Sequence, residues 1–166
     1  MKKLIENFNK FSDGHRTRKS DYDSGGVISL YHYSRPDVDT LVLDPKHGAQ
    51  SYSRNDYIVS DVPRVFFYVD PDDKERFFAS ANMFTVDVPA NRVYDLTADE
   101  EEYIEATRHS VYGLRKGVEW NTLLETIRED YDGIFYDTGR LKIVAWFHPI
   151  EVVRVPPEEQ AQLEGK

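Results

Sequence analysis

The residues able to do chemistry in this chain are few and scattered. His32 and Ser34 stand two apart in "VISLYHYS", so on an extended strand both leave the same face, together with Ile28 and Leu30. An imidazole beside a hydroxyl can hold a ribose or an amide; a hydrogen-bonded core histidine fits the same spacing equally well. With no third member in the pattern, a hydrolase triad is not indicated. In "PRVFFY", Phe66 and Tyr68 share one strand face and Phe67 takes the other. One of these faces must pack, and the other can offer a ring to a planar heterocycle. Asp137 ends the apolar run "GIFYD" just before "TG". It is either a turn residue bonding nearby amides or a carboxylate held at the mouth of a cleft. The five histidines lack helical metal spacing, "DPDD" lacks the alternating oxygens of a calcium loop, and no glycine-rich phosphate loop occurs. No metal site is expected.

Composition bounds the elements that must position these groups. A chain of 166 residues with 11 Tyr and 9 Phe can build one aromatic-rich core, so a single domain is expected. Cysteine is absent, which excludes disulfides, thiolate metal sites and cysteine nucleophiles. A net charge of −9 repels phosphate backbones and disfavours broad nucleic-acid affinity. The start, "MKKLIENFNKF", carries no apolar signal region, and no apolar run reaches the length of a membrane helix. A cytoplasmic protein without membrane contact is expected.

Leu4, Ile5, Phe8 and Phe11 have helical spacing, so residues 1–26 read as an N-terminal helix and polar linker, 27–155 as the folded domain, and 156–166 as an acidic flexible tail. Strands are predicted at 27–34, 62–70, 83–89 and 92–96 and again within 131–155. Helices are predicted over 70–81, with Asp70 as N-cap and Pro71 in the first turn, over 97–113, with Thr97 and Glu100 in capping-box spacing, and over 118–130. The last of these presents Trp120, Leu123, Leu124 and Ile127 on one face. Strands at both ends with helices between them give an α+β class.

The order of the pieces adds a resemblance. "YHYS", then "PRVFFY", then the closing "DYDGIFYDTGRLKIVAWFHPIEVVRV" resembles the ADP-ribosyltransferase-like fold family, in particular small bacterial and phage-encoded members of the His-Tyr-Glu type. It spans roughly Val27 to Val155. The resemblance implies a split, two-sheet β-sandwich with inserted helices and NAD as co-substrate in a cleft between the sheets. It implies a transferase of phage or toxin-effector type acting on a host macromolecule, a protein or a nucleic acid. By position, His32 would bond the adenosine ribose, Phe67 or Tyr68 would stack on nicotinamide, and Asp137 would contact the nicotinamide ribose where the family carries glutamate. Tyr33 stands where the family often has a glycine whose backbone binds the carboxamide, and Ser34 lies beside it; Arg54 and Arg64 could contact the pyrophosphate, although a plain surface charge is the commoner role for either. The other function compatible with the fold is a catalytically inactive, acidic binding or inhibitor protein, a nucleic-acid mimic or virion-associated.

Overall fold

Side chains alternate along each strand, and that alternation divides the apolar residues between the two faces of one large sheet. The computed structural model describes residues 17–43, 60–71, 81–104, 117–137, 139 and 142–165. The strands are β1 (Asp23–Ser24), β2 (Val27–Ser34), β3 (Thr40–Leu41), β4 (Val65–Tyr68), β5 (Asn82–Pro89), β6 (Val93–Asp95), β7 (Gly133–Asp137), β8 (Lys142–Trp146), β9 (Ile150–Glu151) and β10 (Val153–Arg154). The main sheet runs β10-β5-β2-β4-β8-β7-β6, with β1 added to β2, while β3 and β9 form a separate pair. All these pairings are antiparallel except β6 with β7. With the helices below, the class is α+β.

Two features show that the sheet is neither flat nor continuous. β2 matches β5 along its whole length, but meets β4 at the single pair Tyr31–Tyr68. The sheet therefore has a seam between a β10-β5-β2 half and a β4-β8-β7-β6 half. Second, β5 and β6 are joined only by the 3-10 turn Ala90–Arg92, although five strand spacings separate them in the order. A flat sheet would hold them roughly 24 Å apart, whereas the chain from Pro89 to Val93 reaches at most about 14 Å. The two halves must curl towards each other. Ile28, Leu30, Phe67, Phe84, Val88, Val93, Phe135, Val144 and Trp146 form the apolar cluster on the enclosed side, with Leu41, Ile150 and Val152 from the β3–β9 region closing against it.

The opposite face is covered by helix. α1 (Gly117–Asp130) lays Trp120, Leu123, Leu124 and Ile127 against Phe66, Tyr68, Ile134, Tyr136 and Ile143, the stripe its sequence predicts. Each such side chain contributes about 1.5–3 kcal/mol by burial. α2 (Pro157–Leu163) corrects the expectation of a flexible tail. Gln160 holds the start of β5 from both sides, accepting from the Met83 amide at 3.1 Å and donating to the Ala81 carbonyl at 3.0 Å. Glu164, also buried, accepts from the Tyr33 hydroxyl at 3.1 Å.

The polar linker is likewise corrected for the part described. Gly25 and Gly26 take φ of +64° and +86°, the left-handed pair of a tight hairpin turn, which folds β1 onto β2. Residues 17–22 then lie on the β6–β7 end of the enclosed face. The expected cap at Thr97 is also displaced. Asp99, buried, accepts from the amides of Tyr103 and Ile104 at 3.0 and 3.1 Å and from the Tyr94 hydroxyl, which leaves Thr97 for another partner. The predicted N-terminal helix, residues 72–80 and residues 105–113 lie outside the described residues.

Candidate functional site

His32 is placed at the seam. Beyond the Tyr31–Tyr68 pair the two strands part, and the bond across the gap comes from the His32 ring, whose Nδ1 lies 2.9 Å from the Phe66 carbonyl oxygen. A carbonyl can only accept, so Nδ1 carries the proton and donates. Burial holds the imidazole pKa below its ordinary value of 6.5, because desolvation penalises the charged form. Neutral His32 therefore keeps a lone pair on Nε2, and among the described residues Nε2 has no hydrogen-bond partner. The ring stands edge-on to Phe67, centroids 5.7 Å apart.

Strand register shows which residues share the His32 face. Phe67 pairs with Val144, Val144 with Phe135, and Phe135 with Asp95. His32, Phe67, Val144 and Phe135 therefore form one row across the enclosed face. Asp137 lies two residues further along β7 on that face, and Ser34 two residues along β2. The predicted quartet of His32, Ser34, Phe67 and Asp137 is thus on one side of the sheet. His32 and Asp137 are separated by three strand spacings and two residues of rise, roughly 16 Å in a flat sheet and less in a curled one. Between them Phe67, Val144 and Phe135 are 1%, 0% and 0% exposed. Other side chains of the enclosed cluster cover these three residues, so packed core and not an open floor lies between His32 and Asp137.

The remaining candidates do not join them. Tyr33 and Tyr68 point to the α1 face, with their rings 5.9 Å apart, so the aromatic beside His32 is Phe67 and not Tyr68. Arg64 is buried on that same opposite side. Its Nη1 donates to the carbonyls of Ser60 and Val62 at 3.1 and 2.9 Å, and its guanidinium sits 5.0 Å from the Phe66 ring centre. A pyrophosphate role for Arg64 is not what this placement offers. Arg54 lies outside the described residues.

Asp137 is 3% exposed and well supplied with donors. Its Oδ2 accepts from the Thr17 amide at 2.9 Å and the Thr17 hydroxyl at 2.8 Å, and its Oδ1 accepts from the Gly139 amide at 2.7 Å. Its own amide donates to Thr97 Oγ1 at 2.9 Å. The Gly139 bond is the turn role expected of Asp before Thr-Gly; the Thr17 bonds are long-range and no local pattern announced them. Lys142 is the cross-strand partner of Asp137. Lys19 continues the contact: its amide donates to Asp95 Oδ2 at 3.0 Å, and its ammonium donates to the carbonyls of Ala90 and Val93, both at 2.9 Å. The Tyr22 ring lies 5.9 Å from that of Phe135.

Two residues of the closing motif have structural tasks. Gly133 leaves room for Trp146: a Cβ there would meet the indole at 2.8 Å and the Ala145 carbonyl at 2.9 Å. Asp132 staples the start of β7, accepting from Arg92 Nε at 2.8 Å and pairing with His148 Nε2 at 3.0 Å. The Arg92 hydrogen bond holds the Asp132 carboxyl below its usual range. No family model matches the chain, and no curated protein or solved structure matches it significantly. No described helix is long and apolar enough to cross a membrane.

Proposed function

We propose that this protein is a divergent ADP-ribosyltransferase-like enzyme that binds NAD in a cleft at the His32 seam of a split β-sandwich and transfers ADP-ribose to a macromolecule, as a phage- or toxin-type effector in a host cytoplasm. The observation that carries the reading is His32: a neutral imidazole held in one tautomer at the seam by the Phe66 carbonyl, with Nε2 left for a ligand hydroxyl. Ser34 and Phe67 lie on its face and Asp137 at the far end of the same face. Cleaving the nicotinamide–ribose bond builds positive charge on the sugar, as in glycoside hydrolysis. A carboxylate fixed at that point lowers the barrier by about 3 kcal/mol. The nicotinamide leaves with the bonding pair, and a nucleophile of the target, a protein side chain or a nucleic-acid group, bonds to the ribose carbon.

A second reading has its own support. The Asp137 oxygens already accept from Thr17 and Gly139, which suits an acidic binding or inhibitor protein on the same fold that does not catalyse. Incubation of the full chain with labelled NAD and host lysate separates the two. Wild-type protein is expected to release nicotinamide and label a macromolecule, His32→Ala to lose at least tenfold of both, and Asp137→Asn to bind NAD but not cleave it. Binding without nicotinamide release selects the second reading. Label transfer that survives both substitutions overturns the site.

A further inference from the structure

We propose that residues 17–22 form a displaceable strap that competes with ligand for the Asp137 carboxylate. Thr17 presents two donors, its amide and its hydroxyl, to one carboxylate oxygen at 2.9 and 2.8 Å. That is the pattern a sugar hydroxyl and a neighbouring donor would present to the same atom, so the strap fills the place of a polyol. Among the described residues the segment is anchored by Thr17 on Asp137, the Lys19 amide on Asp95, the Lys19 ammonium on the Ala90 and Val93 carbonyls, and Tyr22 against Phe135. Thr17, Lys19 and Tyr22 are half-buried, and Arg18 and Ser20 are exposed. Apart from Tyr22, which packs on the apolar cluster, its contacts are polar, while the residues beneath it belong to the packed core. Segments of this kind open locally at a small fraction of the cost of global unfolding. At its C-terminal end the β1–β2 hairpin ties it to the sheet, so Thr17 can lift away while the hairpin remains. Bound ligand and seated strap are mutually exclusive at Asp137, and the affinity observed is the intrinsic affinity multiplied by the fraction of molecules with the strap lifted.

The proposal rests on Asp137 being the ribose contact of the enzyme reading, and its test keeps the two apart. NAD is titrated calorimetrically into the full-length wild type, Thr17→Val and Lys19→Met, while amide exchange of residues 17–22 is followed with and without NAD. Thr17→Val removes the hydroxyl donor and Lys19→Met the two carbonyl bonds, each without changing the sheet. Expected are faster exchange of the strap when NAD binds wild type, and roughly tenfold tighter NAD binding by either variant. NAD binding that depends on His32 but is unchanged in both variants, with strap exchange unaltered by NAD, overturns the strap and leaves the NAD reading standing. No NAD binding by any of the three removes both.

Discussion

Asp137→Ala is expected to lower stability by about 3 kcal/mol, because hydrogen bonds to a buried carboxylate contribute roughly 1.5–3 kcal/mol each and Thr17 and Gly139 are only partly rescued by water. For a chain of this size that is a fall in melting temperature of roughly 6–12 °C. The loss should be localised. Residues 17–22 lose one of their anchors, since the Thr17 amide and hydroxyl both end on Asp137, and the turn loses the Gly139 bond. Amide exchange should accelerate there while β2 and β5, paired along their full length, keep their protection. Asp137→Asn should recover part of the loss, because one amide oxygen still accepts while the amide nitrogen faces a donor. A melting temperature unchanged within about 2 °C would show that the carboxylate does not hold the strap.

Gly133→Val should have a comparable effect through a different cause. A Cβ at this position meets Trp146 Cε3 at 2.8 Å and the Ala145 carbonyl at 2.9 Å, closer than real contacts come. One neighbour is an indole packed in the enclosed cluster and the other is backbone of the adjacent strand, so neither moves cheaply. Overpacking of this kind costs about 1–3 kcal/mol, with Val at the upper end. Gly133→Ala should cost less, and Gly133→Val combined with Trp146→Leu should regain stability. Additive loss in the double variant would show that the clash is not with the indole. The prediction matters for function because β7 carries Asp137 four residues further on, and a shift of β7 moves that carboxylate against the seam.

Strand positions and faces were legible because alternation is local. "VISLYHYS" and "VFFY" place His32 and Phe67 correctly against their neighbours, and the 3.6-residue stripe of Trp120, Leu123, Leu124 and Ile127 gives α1 its buried face. Which faces meet is not local. That Phe67 and not Tyr68 accompanies His32 depends on the antiparallel register across the seam, and that Arg64 is buried on the other side depends on Ser60 and Val62 turning their carbonyls to it. The strap had a signal that polarity concealed. "DSGGV" is a strong hairpin sequence, and it places Asp23 and Ser24 on the sheet and so brings Thr17 within reach of β7. α2 was hidden by its acidic composition, although Pro157 in its first turn with Glu158 and Glu159 following is ordinary helix-start chemistry. Asp99 outcompetes Thr97 as a cap because its carboxylate reaches two amides, and Thr97 instead bonds the Asp137 amide.

In the proposed enzyme the His32 imidazole, neutral and tethered through Nδ1, would receive NAD on Nε2. Nitrogen-15 NMR of the histidine rings during an NAD titration of wild-type protein reads this directly. At pH 7 the His32 ring is expected to show the neutral Nδ1–H tautomer before NAD is added. Its Nε2 resonance then moves saturably as NAD binds, while His148, bound to Asp132 on the surface, stays still. A His32 Nε2 signal that does not respond to saturating NAD, or a ring protonated at pH 7, would contradict it.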